Sequence, residues 1–542
     1  MTDFSSKILN NSVGALAAQQ AVIATTANNI ANVNTPGYAR RSIDLQTRVT
    51  RGSSGTLDIG NGVEIGRVQR ITDEYITKLL RTAAGDQSYA GVRNEFLDRA
   101  QQLFGLTDTD VTVGTTLGQF FDAADDLAAN PSSVELRTSF ISKANDLVNS
   151  IRTTYEGLAS LQGELDQRLA NEVQNVNSLT SQIAELNGLI VSREGISGTV
   201  AGDERDRRDV LLQSLAEKMN FSVVEEGDGS LSITLPNGFP LVNGTSTRKL
   251  ETTPAPSFLT GTAPGLDGSG MNFVVFDYAP GATNEHVDLT SQFTGGEIGA
   301  ILSLRGTHTA SNTSPFQATG TIVDLASRIE GLSRSLLTQF NTTYLGPDRD
   351  SGTAGHQPSS GDLDGNTPSV FGLFTFAGAT DANSDGLPST SDLTASGITS
   401  FSSVLQLTIS DPRDVAAARD VSGGAPAAAV YPSGDGANMR SLTALRDSTL
   451  TYSVGSFSYS GTVEQLYSDT VSKVGNEKAR AEIDLRVASG NLETAQNRRD
   501  EVSGVSLDEE FTNLIKFQKA YQAAAKMIRV GQELLDEIIQ AI

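Results

Sequence analysis

The last forty residues of the chain carry a regular pattern of apolar positions. From Leu507 onward, apolar or aromatic side chains recur alternately four and three residues apart, interrupted at two positions by Gln. This spacing averages 3.5 residues and is typical of a helix that packs along its length against another helix. The large members of the predicted seam are Leu507, Phe511, Leu514, Tyr521, Ile528, Leu535, Ile539 and Ile542.

The same spacing occurs near the start of the chain. Its large members are Leu9, Val13, Leu16, Ile23 and Ile30. The helix is expected to end near Asn34, because Thr35 precedes a proline and such a residue is pushed out of the helical region. Two ordinary amphipathic helices in a globular core would give similar patterns. Two strict seams at opposite ends of the chain favour a coiled coil that joins residues 1–41 to residues 504–542.

Between these ends lie long helical patterns. Apolar residues recur at helical spacing over 73–106, 116–129, 132–192 and 462–502, with Gly475 and Gly490 expected to bend the last helix. Residues 42–70 instead alternate apolar and polar side chains, which predicts a β-hairpin. We therefore predict a long helical bundle with a hairpin, built from residues 42–202 and 434–503.

The remaining segment, residues 203–433, differs in composition. It begins with a charged helical stretch over 203–218 and a hairpin pattern over 221–235. Residues 245–433 are rich in Gly, Ser, Thr and Pro, with one helical pattern at 321–344. We predict one or more inserted β-rich outer domains. The expected fold class is α+β multidomain: an elongated helical bundle, a coiled coil of the two termini and this insert.

The composition excludes several function classes. The 542 residues carry a net charge of −24, which argues against nucleic acid as a partner. The absence of Cys excludes disulfides and thiolate metal sites. Residues 1–10 do not read as a cleavable signal peptide, and no apolar stretch approaches the roughly 20 residues that span a bilayer. We expect a protein without a membrane span.

Motifs that carry chemistry are scarce. The three His residues have no metal-ligand spacing, and no nucleophile elbow, phosphate-binding loop or zinc-binding helix motif is found. We therefore predict no enzyme, no catalytic residue, no cofactor and no metal site. One loop leaves an alternative open: residues 381–392 place oxygen side chains as in a calcium loop, but the same residue types form ordinary turns.

Both ends of the chain resemble a known family. The run Ala27-Asn28-Asn29-Ile30-Ala31-Asn32-Val33-Asn34-Thr35-Pro36-Gly37-Tyr38 is similar to the N-terminal signature of the bacterial flagellar rod, hook and hook-associated axial proteins. Residues 503–510, followed by 513–521, resemble the C-terminal signature of the FlgK-type, hook-associated protein 1 branch. Shorter stretches at 62–81, 207–244, 295–299 and 434–438 are also family-like. The motif residues taken from this resemblance are Ala27, Asn28, Asn29, Asn32, Asn34, Thr35, Pro36, Gly37 and Tyr38.

The resemblance implies a structural role at the hook–filament junction of a flagellum, reached by export without a cleavable signal peptide. It also implies self-assembly into a ring or helix and contact with the hook protein and with hook-associated protein 3. A cytoplasmic export chaperone is expected at the C-terminal helix. Three alternatives stay open: another axial protein of hook or rod type, a secreted coiled-coil adhesin, and a hydrolase carried on the outer domain.

Overall fold

The computed structural model describes residues 2–48, 60, 62–105, 111–197, 200–254, 272–277, 286–307, 319–346, 360–366, 372–377, 400–421, 430–454 and 457–540. Its first helix, α1 (Thr2–Ala31), packs against the last one, Leu507–Gln540. The two helices run antiparallel, since Asn29 contacts Glu510 whereas Gln20 contacts Tyr521. The predicted pairing of the two chain ends is confirmed.

A two-stranded hairpin follows α1. Strand β1 (Arg41–Thr47) pairs antiparallel with β2 (Val63–Arg70), and their register shifts between Asp44 and Leu45. Both strands lie against α1 as well as against each other. The hairpin predicted from the alternating pattern is therefore confirmed, and it links the terminal helix pair to the bundle.

Four long helices form the frame of the bundle. They are α2 (Glu74–Gln102), α3 (Val113–Ala129), α4 (Val134–Ser197) and a helix near the C-terminus, Val463–Ser503. Three of them have a side-chain cap at the N-terminus: Asp73 caps α2, and Thr112 and Thr462 form capping boxes. The 64 residues of α4 rise about 95 Å in total, at 1.5 Å per residue. The helix Val463–Ser503 runs without interruption through Gly475 and Gly490.

Three further helices belong to the bundle, which corrects one prediction. They are α5 (Gly202–Lys218), α6 (Gly296–Arg305) and α7 (Thr321–Ser335), all inside the segment expected to lie outside the bundle. Leu215, Ile301 and Leu325 are fully buried in the same core as α2 and α4. Each such side chain contributes roughly 1.5–3 kcal/mol through burial. Helical stretches were predicted at 203–218 and 321–344, but composition does not show which distant helices such a stretch contacts.

The helical segment that follows α7 is irregular. A π-helical turn (Leu336–Phe340) joins α7 to α8 (Asn341–Leu345). It directs the ring of Phe340 to within 6.3 Å of Phe120 and 6.4 Å of Phe374, measured between centroids. All three rings belong to the main hydrophobic core.

The described β-structure outside the first hairpin consists of small antiparallel sheets. A four-stranded sheet lies beside α4 and is followed by a three-stranded sheet and three pairs of short strands. The strands are β3 (Ser222–Glu225), β4 (Leu231–Thr234), β5 (Pro240–Asn243), β6 (Ser246–Thr247), β7 (Glu251–Pro254), β8 (Asn272–Asp277), β9 (His286–Asp288), β10 (Ser360–Gly361), β11 (Phe374–Phe376), β12 (Leu405–Leu407), β13 (Ala418–Arg419), β14 (Leu450–Val454) and β15 (Phe457–Gly461). The remaining helices are α9 (Ala437–Thr443), α10 (Val463–Ser503) and α11 (Leu507–Gln540). Helices with separate small sheets make this an α+β multidomain fold, as expected.

Candidate assembly surface and the joint that positions it

The contact between α1 and α11 uses a seam that differs from the predicted one by one residue. On α1 the buried side chains are Ser12, Ala18, Val22, Thr26 and Asn29. All of them except Ala18 lie one residue before a position of the predicted four-three pattern. On α11 Glu510, Ala524 and Gly531 are buried, spaced by multiples of seven. The predicted four-three spacing is therefore right. The residues predicted to face the partner helix are wrong in part.

Small side chains explain the shift in register. Ala18 of α1 and Ala524 and Gly531 of α11 lie in the contact, and a Cβ added at Gly531 would come within 3.7 Å of Ile8. Two helices approach closely where small residues face each other, and larger aliphatic residues then move to the margins of the contact. Spacing alone cannot distinguish these arrangements, because adjacent positions on α1 repeat with the same period.

The predicted seam residues consequently divide into two groups. Those half-buried along the contact or its margin are Leu9, Leu16, Ile23, Ile30, Leu514, Tyr521, Ile528 and Leu535. Val13, Leu507 and Phe511 are exposed at 52%, 41% and 49%. Ile542 and the side chain of Ile539 lie outside the described residues. The helix pair thus carries apolar side chains that its own packing leaves uncovered. Ile515, Met527 and Val530 are also exposed.

Asn29 of the family-like motif holds the end of α1 in place. Its Oδ1 accepts from the backbone N–H of Arg41 at 3.0 Å, and its Nδ2 donates to the carbonyl of the same residue at 2.9 Å. We call this arrangement an asparagine bracket. Asn29 also donates to Glu510 of α11 at 3.2 Å and accepts from the hydroxyl of Tyr38 at 2.8 Å. One buried amide therefore connects α1, β1 and α11.

The segment from Asn32 to Arg41, called the joint, connects the helix pair to the bundle. Its Gly37 has a φ of +79°, and a Cβ there would come within 2.2 Å of Val210 on α5. The Tyr38 carbonyl accepts from Arg499 of α10 at 2.7 Å, and the N–H of Arg40 donates to Ser503 at 2.8 Å. A glycine is needed at position 37 for its backbone conformation and for the space.

The other motif residues act locally or lie on the surface. The Asn32 amide donates to the carbonyl of Asn28 at 3.0 Å, and the Thr35 hydroxyl donates to Asn32 at 3.1 Å. These bonds satisfy polar groups where α1 ends. Ala27, Asn34 and Pro36 are exposed. Burial raises the pKa of the Tyr38 phenol, although the neighbouring Arg41 acts against it, so Tyr38 remains a hydrogen-bond donor.

An ion cluster that sequence reasoning missed anchors the joint to α5. Arg41 contacts Asp203 at 2.6 Å and Asp206 at 3.2 Å, and Arg70 of β2 contacts Asp206 at 2.6 Å and Asp209 at 2.7 Å. Burial raises the pKa of Asp206, while the two arginines act in the opposite direction. The available signal was the charged run 203–209, from which the sequence predicted only a charged helical stretch.

Asparagine brackets also position parts of the insert. Asn187 of α4 brackets Leu231 of the four-stranded sheet at 3.1 and 2.9 Å, and Asn177 brackets Leu250 at 2.8 and 2.7 Å. In the family-like run 434–438, the Asn438 amide donates to the carbonyls of Tyr344 and Ala416 at 2.8 and 2.7 Å. These contacts hold parts of residues 203–433 against α4 and α9.

The described residues contain no cluster of three or more His, Asp or Glu side chains arranged to hold a metal ion. The loop 381–392, for which calcium was the open alternative, lies outside the described residues, as do His308 and His356. Within the part of the chain that the structure covers, every helix is too short or too polar to cross a membrane. The uncovered apolar surface and its joint are described features that can serve a function.

Three regions match sequence models of known families. Residues 97–357 match the family described as the flagellar hook-associated protein FlgK helical domain. Residues 9–38 match the flagella basal body rod protein family, and residues 496–541 match the flagellar basal body rod FlgEFG protein C-terminal family. The matches thus cover both terminal helices and much of the bundle.

Individual relatives are similar over nearly the whole chain. The flagellar hook-associated protein 1 of Escherichia coli is 25% identical over 98% of this chain and 99% of its own length. The protein of that name from Bacillus subtilis is 27% identical over 97% of this chain and 96% of its own. The solved structure of the flagellar hook junction protein FlgK from Burkholderia pseudomallei has a similar fold, with a TM-score of 0.59 at 15% identity. It covers 78% of this chain and all of that one. On these matches, the chain is similar over nearly its whole length to the FlgK-type flagellar hook-associated proteins.

Proposed function

We propose that this chain is a structural subunit of the hook–filament junction of a bacterial flagellum and that it assembles with copies of itself. The observation that carries this proposal is the uncovered apolar surface of the α1–α11 pair. Val13 and Phe511 are about half exposed, although helix pairs normally bury such side chains. A neighbouring copy would bury them and gain about 25 cal/mol for each Å² of apolar surface removed from water.

The joint supports this role because it fixes the direction of the helix pair relative to the bundle. In an assembled tube the helix pairs would line the inside and the bundles would contact each other around them. Asn29, Tyr38 and the Arg41–Asp206 contact would then hold every subunit in the same geometry. The predicted seam residues are proposed as assembly contacts on the same ground.

The partners and location follow from the family. We propose that the hook protein lies on one side of the junction and hook-associated protein 3 on the other. A cytoplasmic chaperone would hold α11 before export, because its apolar side chains are exposed until the subunit is assembled. The protein would then act outside the cell, in the flagellum, by assembly and not by catalysis.

The proposal is tested in the source bacterium after deletion of the chromosomal copy of this gene. Restoring the wild-type chain should restore filaments, and cryo-EM of isolated hooks should show the chain between hook and filament. Phe511→Glu should keep the melting temperature of the soluble protein but restore no filaments. Gln522→Glu places the same charge at an exposed polar position of α11 and should restore them. A wild-type chain found elsewhere in the flagellum, or outside it, would overturn the proposal.

A further inference from the structure

A polar pocket of about 280 Å³ lies beside the joint, between β2, α2, α5 and the four-stranded sheet. Four arginines line it, Arg70, Arg81, Arg205 and Arg208, together with Glu74, Asp209 and Glu225. The pocket thus brings four guanidinium groups together in a chain with a net charge of −24. We call it the arginine pocket.

Two of the four arginines are neutralised by carboxylates. Arg70 contacts Asp206 and Asp209, as described above. Arg205 contacts Glu194 at 2.7 Å through Nε and Glu225 at 2.7 Å through Nη1. Both side chains form part of the pocket wall. Because carboxylates already neutralise their charges, they are not available to bind an anion.

The other two arginines have no carboxylate partner among the described residues. Arg208 is only 2% exposed, and its Nη1 donates to Asn187 at 2.9 Å and to the carbonyl of Gly229 at 2.8 Å. Its Nε is buried without an acceptor. Arg81 is half-buried and forms no hydrogen bond or ion pair with the residues that the structure describes.

The surroundings of both side chains disfavour their charge. Burial lowers the pKa of Arg81, which Asp209 and Glu74 offset only in part, and burial lowers the pKa of Arg208 to about 10. Both groups are still protonated at neutral pH. A buried cation without a counter-ion costs free energy, and an incoming anion would remove that cost.

We propose that the arginine pocket binds an oxyanion and that, in the assembled flagellum, this oxyanion is a side-chain carboxylate of a neighbouring copy. Guanidinium groups present paired N–H donors that match a carboxylate, sulfate or phosphate. Each copy supplies carboxylates in excess, with 64 acidic against 40 basic residues. The second part of this inference rests on the proposed function, whereas the first part does not.

The first experiment compares thermal unfolding of the full chain in sodium sulfate and in sodium chloride at equal ionic strength. Sulfate should raise the melting temperature of the wild type by about 1–3 °C more than that of Arg81→Met. The control is Arg207→Met, which removes the same charge from an exposed position on α5 and should respond like the wild type. In chloride, Arg81→Met should be at least as stable as the wild type, because an unpaired buried cation is gone. An equal sulfate response of wild type and Arg81→Met overturns the site.

The second experiment tests the source of the oxyanion in cells. Arg81→Met should fold but incorporate poorly into junctions, whereas Arg207→Met should incorporate normally. If Arg81→Met loses its sulfate response and still incorporates normally, the neighbouring carboxylate is excluded and a free anion is the ligand. If even the wild type builds no junction, the proposed function fails while the sulfate result stands.

Discussion

At the scale of single residues, asparagine side chains connect helices to extended segments. Four of them, Asn29, Asn177, Asn187 and Asn341, each bracket the N–H and the carbonyl of one residue elsewhere in the chain. An amide can do this because it carries a donor and an acceptor in one plane. A carboxylate of the same shape has no donor, so these positions specify Asn and not Asp.

Asn29→Asp should therefore loosen the terminal helix pair. The variant leaves the carbonyl of Arg41 without its donor and places a second carboxylate beside Glu510. We expect a loss of about 2–4 kcal/mol in the stability of the α1–α11 contact. Hydrogen exchange should show faster exchange of the α1 amides while the bundle amides remain protected.

The matched control is Asn28→Asp, one residue earlier in the motif. Its side chain is exposed, and its oxygen accepts from Asn32, which a carboxylate can also do. Exchange of α1 should stay close to that of the wild type. Equal exchange rates in both variants would show that the bracket at Asn29 contributes nothing.

A second prediction at this scale concerns pH and Glu194, at the end of α4. A hydrogen bond from Arg205 lowers the pKa of this carboxyl below 4.5, with help from the N–H of Ala201. A lowered pKa contributes stability above pH 4.5 that is lost as the pH falls through the folded-state pKa. Glu194→Gln should lower the free energy of unfolding by about 1.5–3 kcal/mol at pH 7.

The difference between Glu194→Gln and the wild type should shrink as the pH falls below 4.5, which urea unfolding at several pH values can follow. Glu185→Gln changes the same charge at an exposed position of α4 and should have little effect at any pH. A Glu194→Gln effect that stays constant down to pH 3 would contradict the assigned role of its charge.

At the scale of elements, the sequence predicted long regular pieces well and their partners less well. The bounds of α2, α4, α10 and the first hairpin follow from apolar periodicity and from Pro, Gly and capping residues, all of which are local. The observed seam of α1 and α11 depends on how closely two helices approach, which no single helix encodes. The places of α5, α6 and α7 in the bundle likewise depend on contacts between distant parts of the chain.

The candidate site shows the same limit. The motif around Asn29 and Tyr38 was recognisable as a run of residues, but its hydrogen bonds to Arg41, Glu510 and Arg499 join residues up to 481 positions apart. The arginine pocket gave no signal at all, because its arginines come from β2, α2 and α5.

Glycines inside helices give a prediction at this scale. A Cβ added at Gly475 or Gly490 of α10 would meet nothing within 4 Å. Because Gly lowers helix stability relative to Ala, Gly475→Ala and Gly490→Ala should each stabilise the protein by about 0.5–1 kcal/mol. Gly85→Ala on α2 should instead destabilise it by about 1–3 kcal/mol, since its Cβ would come within 2.7 Å of the Ala216 carbonyl.

Urea unfolding of the three alanine variants decides this prediction. Opposite signs at Gly475 and Gly85 are expected although the substitution is the same. A destabilising Gly475→Ala would mean that α10 needs its glycine for a bend.

At the scale of the whole molecule, the terminal helix pair and the bundle are packed separately. The main hydrophobic core extends from α2 to α10 and, among the described residues, includes none from α1 or α11. Damage to the pair should therefore leave the unfolding of the bundle unchanged. Stability of the soluble protein and competence for assembly become separable properties.

Leu535→Asp tests this separation. Leu535 is half-buried along the α1–α11 contact. Replacing it with Asp removes the roughly 1.5–3 kcal/mol that burial of the apolar side chain contributes and adds the cost of desolvating a carboxylate. We expect an unchanged main transition in calorimetry, no junction and filament subunits lost to the medium. Gln532→Asp, at an exposed position nearby, should still build junctions. A main transition lowered by several degrees together with normal filaments would contradict the separation.

The pairing of α1 with α11 also has a consequence in time. During synthesis α1 is made before its partner α11, which begins at Leu507. Until that partner arrives, α1 has nothing to pair with, and a chain interrupted before residue 507 never provides it. Pairing of the two helices therefore requires that translation has continued through α11. A chain that can dock through this pair therefore contains both α1 and α11.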